Sequence, residues 1–349
     1  PTAPGGEFGL QAGLRITQAQ FLGDLGRGIA TRTGEFRKTA EALDASAAAY
    51  CASFDPALLD DLKLRFRDAL IVWQNLEMVQ MGPLADNANA LKFKIYGWPQ
   101  LSNYCKIDEE SLAAVNDPEY ALPSNTNRKG LQALEYLIYD SSLISICPAT
   151  NPTKTEWEVL SPVQKWQARC AYMKPVAAEL ATNARSLEAL WGSSNDNFVS
   201  RRINDAAGAQ ALVQELFNKL FYLDIEVKNQ KLAAPAGQDI KFCNKTPLPC
   251  PDKEELHYSH LSKEALAANI RALADIIFGY GEPRTGGLSA LVRSENGVDV
   301  ADRTEKNIAG LLALSENQTA TFETLIASKK AEDCELSQLS WDCQVRQAI

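Results

Sequence analysis

With 349 residues, 46% of them apolar, the chain is long enough for two domains or for one elongated helical body with a substantial core. A net charge of −9 without any basic run excludes a nucleic-acid-binding surface, which needs clustered Lys and Arg to neutralise phosphates. The apolar stretch Ala133–Ile146 is broken by Glu135 and Asp140 and is too short to span a bilayer.

Helical periodicity dominates, and no alternating strand pattern competes with it. Residues 1–12 are set aside as a flexible N-terminal segment, whether a processed end, an anchor-proximal linker or a cloning remnant. Ile16–Ala52 reads as a long, alanine-rich helix. The next helix, Pro56–Met81, has Asp55 as its cap and Pro56 in its first turn, and Gly82-Pro83 stops it. Ala85–Tyr104 is less regular and contains the turn Gly97-Trp98-Pro99, and a short helix over Glu109–Val115 follows. Arg128–Tyr139 is a helix that buries Leu131, Leu134, Leu137 and Ile138. A loop with Cys147-Pro148 and Asn151-Pro152 leads to a helix over Val163–Leu190, and Trp191–Asn195 makes a hinge or domain boundary. Phe198–Leu232 reads as one long helix and Ala233–Pro251 as a loop. Ser262 caps a helix over Lys263–Gly279, and after the Gly281-Glu282-Pro283 turn helices over Leu288–Ser294 and Val300–Ala327 complete the chain. The expected fold is all-α, with two packed four-helix-bundle-like domains, residues 13–192 and 193–349, whose similar helix order hints at duplication.

Eight cysteines with no C-x-x-C spacing, beside only two histidines, point to disulfides in an oxidising compartment rather than to a zinc framework or buried free thiols. Cys243–Cys250 and Cys334–Cys343 each bracket a short segment and could close locally, which leaves Cys51, Cys105, Cys147 and Cys170 to join helix ends in the first half.

The stretch Gly130-Leu131-Gln132-Ala133-Leu134-Glu135 resembles the Gly-x-His-x-x-Glu signature of the imelysin family, with Gln132 where the histidine would stand. Leu76–Pro83 resembles that family's helix end before a Gly-Pro stop, and Trp98-Pro99 its Trp-Pro element. Lys231–Pro235 and Glu255–Asn269, with Ser259 and Ser262, are similar to its later stretches. Two departures accompany the lost histidine: Leu70 stands where many members carry arginine, and Gln100-Leu101 replaces an acidic pair. The pattern is similar to a histidine-lacking, periplasmic branch of imelysin-like proteins. The resemblance implies an all-helical, two-domain fold with a pocket near the domain interface. It also implies a connection with iron uptake or, as the family has been classed, with metallopeptidase chemistry.

Positions i and i+3 of a helix share a face, so Gln132 and Glu135 address one point in space. An amide oxygen is a neutral hard donor and a poor substitute for imidazole toward zinc or iron. The expected role is therefore a non-peptidase binding or accessory protein, exported to the periplasm and in peripheral or lipid-anchored contact with a membrane. Gln132, Glu135, Glu77, Trp98, Gly130 and Arg128 would line or support its inter-bundle site, whose partner is a small ligand or an iron-uptake protein. A buried Glu135 needs a partner or a proton, and Arg128 or Lys129 is expected to pair with it. The rival is a divergent metallopeptidase that holds a divalent metal or iron with His257 or His260 completing the site. Those two histidines lie beside Glu254 and Glu255 and form the one sequence-local metal candidate, although they lack the i, i+4 spacing of a metalloprotease helix.

Overall fold

The computed structural model describes residues 14–317 and 324, apart from 101, 204, 240, 245–248, 282, 283 and 285. The N-terminal segment, the Cys334–Cys343 pair, Leu101, the Glu282-Pro283 turn and the helix beyond Asn317 lie outside these residues. Among the described residues the structure is all helical, without a strand, as the periodicity predicts.

Helix α1 (Gln18–Ser53) opens with a capping box: Thr17 Oγ1 accepts from Gln20 N at 3.2 Å, and Gln20 Oε1 accepts from Thr17 N at 2.8 Å. Helix α2 (Pro56–Glu77) starts as expected, with Asp55 accepting from Ala57 N at 2.9 Å and Pro56 in the first turn. Gly82, at φ +56°, turns the chain after it, and a side chain there would meet the Phe198 ring. Helix α3 runs over Asp86–Ile95, with left-handed backbone at Asn87–Asn89, and α4 spans Tyr104–Asn116. The signature residues form α5 (Gly130–Tyr139).

A short helix, α6 (Pro152–Glu158), occupies what reads from sequence as loop. Asn151 Oδ1 accepts from Thr153 N at 3.0 Å, so the Asn-Pro pair starts a helix rather than ending one. Helix α7 (Pro162–Trp191) has a second capping box, between Ser161 and Gln164.

The single helix expected over Phe198–Leu232 is instead α8 (Ala206–Lys219) followed by a π-helix over Leu223–Ala233. Helix α9 (Ser262–Phe278) begins one residue earlier than expected. Ser262 is not its cap: the residue before the helix is Leu261, and Ser262 Oγ accepts from Leu256 N at 3.2 Å, closing the preceding turn. Helices α10 (Leu288–Ser294) and α11 (Val298–Asn317) follow.

Helix α1 packs along both α2 and α7, α5 is held between α2 and α7, and α9 joins α2 to α11. The apolar faces form one main cluster of buried side chains from Ile16 to Leu312, with a small satellite of Leu112, Trp157 and Ala168. Among the described residues three disulfides reinforce this body. Cys51–Cys170 ties the end of α1 to α7, Cys105–Cys147 ties α4 to the loop after α5, and Cys243–Cys250 closes locally as its spacing suggests. No helix among the described residues is long and apolar enough to cross a membrane.

Candidate functional site

Helix α5 starts where only glycine fits. Gly130 sits at φ +69°, and a Cβ there would come within 2.4 Å of the Ile95 carbonyl oxygen at the end of α3. That close approach seats α5 in the core, where every residue from Gly130 to Ile138 is buried. A helix enclosed on all sides must satisfy its polar side chains internally or through a ligand.

Gln132 is 1% exposed. Its Oε1 lies 3.5 Å from the Ser102 hydroxyl, and its Nε2 has no hydrogen-bond partner. The neighbouring turn is shaped around this amide, because a Cβ on Gly97 would come within 2.8 Å of Gln132 Oε1. Trp98, next in that turn, is 3% exposed, and its Nε1 is also without a partner.

Glu135, fully buried, is held differently from expectation. Its Oε1 accepts from Tyr258 N at 3.1 Å, Ser259 N at 2.9 Å and the Ser259 hydroxyl at 2.8 Å, while Oε2 has no partner. Neither basic neighbour reaches it. Arg128 pairs with Glu110 on α4, and Lys129 pairs with Glu179 on α7 at 2.7 Å. Without a cation, burial pushes the Glu135 carboxyl up to about 8, a rise that the donors from Ser259 and Tyr258 oppose and that the Glu255 charge reinforces. At neutral pH the carboxyl is protonated. With Oε1 occupied by three donors, the proton belongs on Oε2, which makes that oxygen a donor like Gln132 Nε2 and Trp98 Nε1.

Glu77 belongs to a second buried cluster, centred on Lys231 of the π-helix. The ammonium contacts Glu77 Oε1 and lies 2.9 Å from Glu255 Oε1, 2.8 Å from Gln74 Oε1 and 3.0 Å from Asn269 Oδ1. Tyr96 donates to Glu255 Oε1 at 2.6 Å, and Asn269 Nδ2 donates to the Gln74 carbonyl at 2.6 Å. Burial opposes the charge on Lys231, but Glu255 and Glu77 outweigh it and raise its pKa above the ordinary lysine value. Burial also raises Glu255, with Lys231 pulling it down and Glu77 pushing it up. Lys92, nearly buried beside this cluster, has its Nζ 4.7 Å from the Tyr222 ring centre, and desolvation lowers its pKa. Lys231, Gln74, Tyr96 and Asn269 were not singled out from sequence as site residues. Their signal was indirect: Lys231 and Asn269 fall inside stretches chosen for family resemblance.

The two histidines turn outward. Tyr258 and Ser259 aim their N–H groups inward at Glu135, and the flanking His257 and His260 are exposed, with His260 at φ +57°. Among the described residues, the grouping of three ligand-type side chains close enough for one metal ion is Cys105, Glu109 and Cys147, whose sulfurs are bonded to each other. Around Glu135 the fit to a catalytic metal is poor: no imidazole faces it, the neighbouring side chain is an amide, and one oxygen is already saturated with donors.

The end of α2, the Trp98 turn, α5, the π-helix and the segment leading into α9 thus surround adjacent parts of one interior. The Imelysin family model matches residues 30–340. No curated protein matches the sequence. Among solved structures, an imelysin-like protein from Psychrobacter arcticum superposes with a TM-score of 0.66 at 15% identity, covering 97% of this chain and 93% of that one. A protein described as an iron-regulated protein A precursor, from Parabacteroides distasonis, superposes with a TM-score of 0.68 at 16% identity and the same coverage, 97% and 93%. With the family model spanning most of its length and the fold shared end to end, the chain belongs to the imelysin family.

Proposed function

We propose that this protein is a periplasmic, non-peptidase member of its family that serves iron acquisition as a binding or accessory module. The observation that carries the reading is the state of α5. Gln132 and Glu135 are buried on one face, and three polar atoms at or beside that face, Gln132 Nε2, Glu135 Oε2 and Trp98 Nε1, have no protein partner. Buried polar groups left open cost about 1–3 kcal/mol each, so a site that keeps them open is suited to a ligand that completes them. With Glu135 protonated all three are donors, and the matching ligand is small and rich in acceptor oxygens.

Iron enters through the neighbour described as an iron-regulated protein A precursor and through the family. Export is supported by three disulfides, which persist in oxidising compartments, and a lipid anchor or peripheral membrane contact is part of the same proposal. The rival metallopeptidase would need His257 or His260 at Glu135, and both histidines are exposed whereas Glu135 is fully buried.

The test is the metal content and proteolytic activity of the full chain purified from its own periplasm. The proposal expects no stoichiometric zinc or iron bound through Glu135 and no hydrolysis of unfolded protein substrates. Stoichiometric metal lost in Glu135→Ala, or metal-dependent hydrolysis, would overturn it.

A further inference from the structure

The second half of the chain contains a cavity of about 400 Å³, separate from the polar clusters. Its floor is apolar: Val227 comes from the π-helix, and Leu266 and Ile270 from α9. Its mouth is marked by lining residues that stay exposed, Phe221 by 65%, Phe217 of α8 by 42% and Leu311 of α11 by 38%. The volume falls in the range of about 300–1,000 Å³ typical of small-molecule sites. Two lining residues are charged, Asp224 and Lys228, and they lie one helical turn apart and pair with each other. Because they neutralise each other, the cavity asks for no counter-charge from its occupant. A protein partner is poorly matched, since a stable interface buries about 800 Å² on each side and three partly exposed side chains supply far less.

One wall is the π-helix itself. Such segments are rare, and they occur often at functional sites. This one places Val227 in the cavity and Lys231 against Glu77 and Glu255, so the cavity and the buried ion cluster share a structural element.

We infer that this cavity is a binding site for an uncharged, apolar small molecule, entering between Phe217, Phe221 and Leu311 and resting on Val227, Leu266 and Ile270. The test is a fluorescence titration of the full-length protein with N-phenyl-1-naphthylamine, a neutral apolar probe, followed by displacement with decan-1-ol. One probe per chain is expected to bind and to be displaced by the alcohol. Leu311→Trp, which fills the mouth from a partly exposed position, should weaken binding by about tenfold or more, and Phe221→Ser should weaken it less. Val159→Ser, at a distant exposed apolar residue, should change nothing. Circular dichroism of the variants guards against simple unfolding. Absence of saturable binding, or binding indifferent to Leu311→Trp, would overturn the proposal. So would exclusion of the probe by residues 318–349 or by a second copy of the chain, read as binding gained only on truncation or on dimer dissociation.

Discussion

Two buried polar clusters lie close together in this protein, and they are completed in different ways. Around Lys231 most groups are satisfied from within: two carboxylates, two side-chain amides and a tyrosine hydroxyl engage the ammonium or one another, while Glu77 Oε2 is left open. On α5, Glu135 has three donors on one oxygen and none on the other, Gln132 has one long contact, and the Trp98 indole has none. Groups that saturate each other cement helices together, whereas buried groups left open have capacity for something else. Charge separates them as well. The Lys231 cluster is built around a cation whose pKa its carboxylate neighbours raise, while Glu135, with no cation in contact, has its carboxyl pushed up to about 8.

The sharpest way to break the comparison is to remove the cation. Lys231→Met leaves Glu77 and Glu255 buried without compensation and is expected to cost about 3–5 kcal/mol in denaturant unfolding. A loss below about 1 kcal/mol would mean that the cluster is not structural cement. Glu135→Ala strands the Tyr258 and Ser259 N–H groups and should cost about 1–3 kcal/mol for each donor left unpaired.

Glu135→Gln sharpens the comparison through pH. The folded-state pKa of Glu135 lies near 8, above the ordinary carboxyl value of 4.5, so between these limits the native state holds a proton that the unfolded chain has released. Its contribution to stability is therefore fully present at low pH, falls as pH rises through that window and levels off above about 8. In unfolding curves measured from pH 5 to 9, Glu135→Gln should flatten this slope, which is worth at most a few kcal/mol. An unchanged slope would assign it elsewhere.

Gln132→Ala is expected to have the smallest effect on stability, below about 1 kcal/mol, because the amide makes one long contact with the protein. A larger loss would place Gln132 with the cement rather than with the open site.

Much of the fold was legible in the sequence because it is written locally. Asp55-Pro56 and the apolar spacing of α2 mark the start and buried face of that helix without reference to anything distant, although it ends at Glu77 rather than running to Met81 and the Gly82-Pro83 pair. The Cys243–Cys250 loop was legible for the same reason. What could not be read depends on contacts remote in sequence or on weak differences in hydrogen-bond register. Glu135 meets Ser259 across 124 positions, and its neighbours Arg128 and Lys129 take partners on α4 and α7 instead. A π-helix differs from an α-helix in hydrogen-bond register, which the apolar pattern of an 11-residue segment is too short to display, so Phe198–Leu232 reads as one element. Asn151-Pro152 carries both loop and helix-start chemistry, and only the packing of Trp157 against Leu112 and Ala168 decides between them. The signature helix was found by its glycine and its Gln132–Glu135 spacing, but nothing nearby in the sequence shows that three donors beside it lack partners.

The central claim is that α5 presents a neutral, hydrogen-bonding face rather than a metal-binding carboxylate. Infrared spectroscopy of the full chain in the carboxyl-stretch region tests it directly. A protonated Glu135 should give a carboxyl band at pH 7 that is absent in Glu135→Gln and fades as pH passes about 8. A Glu135 signal already in carboxylate form at pH 6 would contradict it.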